Sequence, residues 1–191
     1  MGSNGPEDSN LFKAEEYLLT KMAYLDNLVL FNIIQITNIS KSKLNQLDEW
    51  KSYEDPNKAS VDRIKSRSGT RLVREVKMDE VEDSLFQPTK DIYKLMLRDK
   101  AGNYCYAYEF NDVLSFLREK RPTTNTPLNI PLGGRLVVDK GTSILNGVLL
   151  LKRNQCHYLG TDESDRQLID TLNSNLVKKY INLLTDEVGQ I

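Results

Sequence analysis

Five short runs of strand-forming residues, most of them separated by tight-turn sequences, restrict this chain to a small, mainly antiparallel β fold. They are Leu28–Thr37 (LVLFNIIQIT), Ile92–Arg98 (IYKLMLR), Asn103–Phe110 (NYCYAYEF), Gly134–Asp139 (GRLVVD) and Asn146–Lys152 (NGVLLLK). The second and third are linked by Asp99-Lys100-Ala101-Gly102-Asn103, whose Gly and Asn suit a hairpin loop. The fourth and fifth are joined by a turn at Lys140-Gly141, and Tyr158-Leu159-Gly160 closes the region.

Helical patterns flank and interrupt these runs. Ser9 caps a helix predicted over 10–27, with Leu11, Ala14, Leu18, Met22 and Leu25 on one stripe, widened by Phe12 and Leu19. Lys41–Lys51 has weak helical character through Leu44, Leu47 and Trp50, and Asp112–Lys120 reads as a short helix. A final helix over Asp165–Thr185 places Leu168, Ile169, Leu172, Leu176, Tyr180 and Leu184 on one stripe, to pack on the sheet. The strand count and the flanking helices fit a five-stranded Greek-key barrel of the OB type, with an open sandwich as the structural alternative. The expected organisation is a disordered tail at 1–9, the helix at 10–27, the barrel at 28–160 and a C-terminal helical segment at 161–191.

The barrel carries a long insertion between its first two strands, at about 42–90. From Lys51 to Lys90, Gly, Pro, Ser and charge dominate and no period is sustained. Seven basic residues stand between Lys58 and Lys77 against only Asp62 and Glu75, and an acidic cluster of Asp79, Glu80, Glu82 and Asp83 follows.

Catalytic chemistry finds no foothold. There is one histidine, His157, beside Cys156 and Tyr158 with no orienting carboxylate in the sequence around it. Two cysteines and one histidine are too few for a four-ligand zinc site, and no phosphate-cradling glycine motif is present, so no cofactor is expected. Cys105 and Cys156 read as reduced, buried small hydrophobes. The acidic cluster reads as a solvated loop. The polar, Gly/Pro-containing residues 1–9 resemble neither a signal peptide nor an amphipathic presequence, and no run is long and apolar enough for a membrane span. A formal charge of −1, from 26 basic and 27 acidic side chains, argues against strong autonomous nucleic-acid binding.

One strand complicates that conclusion. Tyr104, Tyr106, Tyr108 and Phe110 project from one face, Cys105, Ala107 and Glu109 from the other. Single-strand-binding OB folds stack bases on such rings. The rings would otherwise pack under the flanking helices or fill the barrel mouth. Only Lys94 and Arg98 on the neighbouring strand accompany them, so the packed reading is favoured and the stacking platform is its rival.

The region from Asp91 to Gly160 resembles the OB domain of the RecQ-mediated genome instability protein 1 family. YKLMLRDKAG followed by YAYEF is similar to that family's hairpin, an L-x-L-x-D strand end leading into a strand that ends in A-x-E-aromatic. IPLGGRLVV resembles its proline-glycine approach to a barrel strand, and NGVLLLKRNQCHYLG its G-V-L-L-L, polar turn and run ending in Leu-Gly. LVLFNIIQITNISKSK is similar to its opening strand. The resemblance runs from Leu28 to Gly160 with the insertion as a gap. The resemblance implies a short, fungal-type member, in which no second OB domain is expected after the final helix.

The resemblance implies a nuclear, non-enzymatic subunit that binds type IA topoisomerase III and a RecQ-type helicase, with DNA as a further partner inside the complex. That complex dissolves double Holliday junctions and related recombination intermediates. The family's insertion contacts the topoisomerase near its DNA gate, which here implicates Leu72, Val73, Val76, Leu85 and Phe86 as anchors and Arg63, Lys65, Arg67, Arg71 and Arg74 as steering charges. The alternative is an autonomous single-strand nucleic-acid-binding protein using Lys94, Arg98, Tyr104, Tyr106 and Tyr108. A third reading is an OB adaptor that binds only peptides.

Overall fold

The computed structural model of the chain describes residues 11–55, 91–111, 113–119 and 125–189. Its strands are β1 (Ala23–Tyr24), β2 (Val29–Asn38), β3 (Tyr93–Asp99), β4 (Tyr104–Glu109), β5 (Arg135–Val138), β6 (Ser143–Leu145), β7 (Val148–Leu151) and β8 (Cys156–Gly160). Helix α1 (Lys43–Glu54) follows β2, and α2 (Arg166–Asn173) and α3 (Leu176–Val188) follow β8.

All eight strands belong to one sheet in the order β1-β6-β7-β4-β3-β2-β5-β8. Five expected strands and eight observed ones are reconciled by a bend. Ser143 pairs with Leu150 in β6·β7, and Val138 pairs with Cys156 in β5·β8, so β5–β6 and β7–β8 are the two arms of a single kinked hairpin. One half of it sits near each end of the strand order. The sheet therefore curls on itself as five long strands, and β4 pairs with β7 in the single parallel contact of the described sheet. The fold is mainly β, a curled OB-type barrel with flanking helices.

Alternation drives the burial. Phe31, Ile33, Leu95, Leu97, Leu136 and Leu149 point inward and are fully buried. An extra residue at Ile34 shifts the β2–β3 register and returns Ile36 to the interior, as a bulge does when it bends a barrel strand. The kinked hairpin turns at Asn146-Gly147, where both residues have positive φ (49° and 80°), the conformation that Asn-Gly supplies at least cost. The strand expected from Asn146 starts instead at Val148, and β6 precedes it; the Asn-Gly pair flanked by Ile144-Leu145 and Val148-Leu149 is the sequence signal for that turn.

Three helical expectations need correction. No α-helix runs over 11–27. A single 3₁₀ turn (Ala14–Tyr17) precedes β1, which pairs with Ile144 and Ser143. Phe12 is held in the barrel end by its N–H donating to Asp99 Oδ2 at 3.0 Å and by its ring against Phe31. Leu25 exchanges backbone hydrogen bonds with Thr142 and Gly141. Tethering both ends to the sheet overrides the local helical period. The segment expected as a helix over Asp112–Lys120 is a 3₁₀ turn at Ser115–Leu117 in its described part. The C-terminal helix is two helices, broken where Asn175 adopts φ +50°. Asn173 causes the break: its side chain accepts from Leu132 N and donates to Leu132 O, tying the end of α2 to the approach of β5.

Helix α1 is capped by Ser42, whose hydroxyl accepts from Asn45 N, and it buries Leu47 and Trp50. It packs along α3, with Trp50 stacked on Tyr180 at 4.1 Å and 11° and Lys43 paired with Glu187. No helix among the described residues is long and apolar enough to cross a membrane.

Candidate functional site

The connection between β2 and β3 leaves the barrel through a pinned neck. Ile39 N–H donates to Ile92 O at 2.8 Å, and Ser40 Oγ lies 3.3 Å from Asp91 Oδ1. Beneath the neck, the buried Glu109 carboxylate accepts from Tyr93 N, Leu114 N and both terminal nitrogens of Arg118. Arg118 also donates to Asp91 O at 2.5 Å. The hydrogen bond to Glu109 raises the Arg118 guanidinium above its already high range, so it is a permanent cation. Burial, and then Asp91, push the Tyr93 phenol up to about 12. Arg63, Lys65, Arg67, Arg71, Leu72, Val73, Arg74, Val76, Leu85 and Phe86, with the 79–83 acidic cluster, lie outside the described residues.

A second surface forms on the outside of β3 and β4, the second and third long strands of the barrel. Tyr104 (55%), Tyr106 (42%) and Phe110 (38%) are solvent-exposed, while Cys105 and Ala107 are buried. The rings therefore neither pack under helices nor fill the barrel mouth. Inside, Ala107 and Cys105 stand across from Leu95 and Leu97, and small side chains leave room for those leucines. The helices lie elsewhere: α3 faces α1 and β2.

The cations stand among these rings. In register, Lys94 faces Tyr108, Met96 faces Tyr106 and Arg98 faces Tyr104. Lys94 Nζ lies 3.9 Å from the Tyr106 ring centre and 5.9 Å from that of Tyr108, and the Arg98 guanidinium is 6.0 Å from Tyr104. Such contacts contribute about 0.5–1 kcal/mol when exposed. Stacking of a base on an aromatic ring contributes about 1–3 kcal/mol, so a base can displace the lysine from the ring. All five residues of the expected nucleic-acid face thus lie on one side of one hairpin.

A third surface was not foreseen. Leu18, Leu19, Met22 and Tyr24, three of them assigned to a buried helical stripe, are instead more than half exposed. They gather near the β6–β7 turn: a Cβ on Gly147 would fall 3.3 Å from Leu18 Cδ2, Tyr24 pairs with Ser143, and Leu145 is itself 38% exposed. An apolar lip of this kind suits a protein surface. Only the failure of the helix would have revealed it.

His157 Nε2 lies 3.0 Å from Asp139 Oδ2 at the surface, a carboxylate that chain neighbours did not suggest. Both cysteines are buried; the Cys156 thiol donates to Lys152 O at 3.4 Å, and burial pushes the Cys105 thiol up. Among the described residues no group of three His, Cys, Asp or Glu side chains could hold a metal ion.

Comparison with known proteins agrees with this geometry. The family described as RMI1, N-terminal OB-fold domain matches residues 9–167. The RecQ-mediated genome instability protein 1 of Saccharomyces cerevisiae (strain ATCC 204508 / S288c) is similar, 27% identical over 186 residues that cover 82% of this chain and 71% of that protein.

Proposed function

Because this chain belongs to the family of RMI1 N-terminal OB-fold domains, we propose that it is a non-catalytic subunit acting in genome stability with a RecQ-type helicase and type IA topoisomerase III, in the nucleus. The family match over 9–167 carries this reading, and the name of the yeast relative links that protein to RecQ-mediated genome instability. The barrel docks as a rigid platform, with the apolar lip around Leu18, Leu19 and Tyr24 as its protein-facing surface. The β2–β3 insertion leaves the pinned neck toward the topoisomerase. Its residues Arg63 to Phe86 contact open and closed states of the DNA gate unequally, and only that inequality shifts the gate's populations. The outcome is faster dissolution of double Holliday junctions and related intermediates.

The test is reconstitution with purified type IA topoisomerase III and RecQ-type helicase. The intact chain co-migrates with the topoisomerase on size exclusion and accelerates dissolution of a double Holliday junction. A chain with residues 56–89 replaced by a short Gly/Ser linker keeps a folded barrel, because loop closure changes by only about 0.6 kcal/mol per doubling of length. It retains part of the binding and returns the rate toward that of the topoisomerase and helicase alone. Absence of co-migration by the intact chain refutes the complex; unchanged kinetics with the linker refutes the role of the insertion.

A further inference from the structure

A cleft of about 630 Å³ lies beside the neck, between α1, the start of β3 and the loop at 126–129. That volume is in the range of clefts that hold ligands. Both walls are fixed. The Trp50–Tyr180 stack holds the α1 wall, and Asn129 Nδ2 holds the loop by donating to Leu117 O at 2.7 Å. A cleft held this way loses little freedom when something enters it.

Three amide side chains line it, Asn38, Gln46 and Asn129. Each uses one end on the protein itself. Asn38 Oδ1 accepts from Ser40 N, Gln46 Nε2 donates to Lys41 O, and Asn129 Nδ2 donates to Leu117 O. The other ends, Asn38 Nδ2, Gln46 Oε1 and Asn129 Oδ1, take no hydrogen bond among the described residues. One donor and two acceptors are the groups that pair with the C=O and N–H of a peptide backbone.

Charge decides what that peptide carries. Asp91 and Glu49 line the cleft against Lys41, which is already paired to Glu49 at 2.9 Å. Asp91 Oδ1 meets Ser40, and Oδ2 accepts nothing among the described residues. Burial is the first cause of the raised Tyr93 phenol; beyond it Asp91, Glu109 and Glu49 raise it and only Arg118 opposes them. The wall is therefore electronegative. The rings of Trp50, Tyr53 and Tyr93 also line it. The alkyl stem of a Lys or Arg packs along such rings while its head reaches a carboxylate. We infer that the cleft binds an extended segment of a partner protein that carries a lysine or arginine, its charge taken by Asp91 and Glu49 and its backbone by the three amides.

Other occupants fit worse. A nucleic acid would bring phosphates to a negative wall. A wholly apolar helix would desolvate three amides and a carboxylate without pairing them. Asp91 and Glu49 belong to no group of three metal-ligating side chains among the described residues, so a bare divalent cation lacks ligands. The rival is the chain's own basic stretch at 58–77, which begins shortly beyond Asp55. Choosing a partner over that stretch rests on the reading above, in which the insertion reaches away to the topoisomerase; the chemistry of the cleft does not.

The test is selection of random phage-displayed dodecapeptides on the full chain. Fluorescence anisotropy follows, with the selected peptide fluorescein-labelled and with copies in which Gln or Glu replaces its basic residue. Selected sequences are expected to share one Lys or Arg among apolar or aromatic residues, and the Gln copy to bind about tenfold more weakly. Asp91→Asn weakens the parent peptide to the same degree and leaves the affinity for the Gln copy unchanged, a coupling that sets the peptide's charge against Asp91. If Asp91→Asn folds poorly, Glu49→Gln gives the same pattern. The chain with residues 56–89 replaced by the Gly/Ser linker binds the peptide as tightly as the intact chain. Selection of no basic peptide, equal affinity for the Glu copy, or the same loss for both peptides in the variants overturns the inference. Binding by the linker chain alone assigns the cleft to the 58–77 stretch and overturns it too. All of these are read on this chain by itself, so their failure leaves co-migration with the topoisomerase standing.

Discussion

The hydroxyl of Tyr180 lies 3.0 Å from both the amide nitrogen and the carbonyl oxygen of Ile36. β5 pairs with β2 only over Val29–Asn32, and its approach adds bonds from Gly133 and Gly134 to Ile33. Beyond that point the β2 edge has no strand beside it. One side chain from α3 accepts the orphan N–H and donates to the orphan C=O, while its ring stacks on Trp50.

Replacing Tyr180 by Phe keeps the stack and strips both partners from Ile36. A buried backbone group left unpaired costs about 1–3 kcal/mol, so Tyr180→Phe is expected to lower unfolding stability by at least that. Urea titration followed through Trp50, the sole tryptophan, measures it directly. A change under about 0.5 kcal/mol, within the range of an ordinary surface substitution, would show that Ile36 finds another partner.

Arg118 ties Glu109 and Asp91 together beneath the insertion. Arg118→Ala leaves a buried carboxylate with only two amide donors and frees Asp91 O. Removing one member of a buried ion pair costs about 3–5 kcal/mol; Arg118 is itself a quarter exposed, so the lower end is expected. Denaturant titration gives the stability, and amide exchange at Ile39 should accelerate as the neck loosens. Full protection of Ile39 in a destabilised variant would separate the two effects.

Alkaline pH should weaken the fold in a definite window. Burial raises Tyr93 to about 12 and also raises Tyr180. The folded state then holds protons that the unfolded state releases near 10. Stability from these groups is complete below about pH 10 and falls as pH rises through the folded value, the sign linkage requires when the native form binds more protons. Urea midpoints at pH 8, 10 and 11 should decline, and Tyr93→Phe should flatten the decline. A midpoint rising over that range contradicts the assignment.

The sequence made the β3–β4 hairpin legible because alternation, a Gly-Asn loop and a buried acid at the turn all agree. It also showed which residues share the tyrosine side of β4. It left open whether that side faces helices or water, since the position of α3 depends on Asn173 binding Leu132, forty-one residues distant, which no local pattern encodes. The first helix failed for a related reason. Its stripe is real in sequence, but Phe12 and Leu25 are held by Asp99 and Thr142, and a chain tethered at both points cannot also complete a helix between them. The insertion stood out by composition, and its first part, α1, was visible as a weak period through Leu44, Leu47 and Trp50. The linker replacement consequently begins after Asp55, beyond the last turn of α1.

The kinked hairpin that occupies both ends of the strand order also sets a timetable. Its second arm ends at Gly160, and β5 must reach back about a hundred residues to meet β2. A growing chain can form the β3–β4 hairpin early from neighbours, but it cannot close the barrel until Cys156–Gly160 has emerged. Contacts this distant in sequence make for slow folding. Until the first arm arrives the flank of β2 is open, and until the second arrives so is that of β4, and the barrel's most exposed moment falls late in its own synthesis.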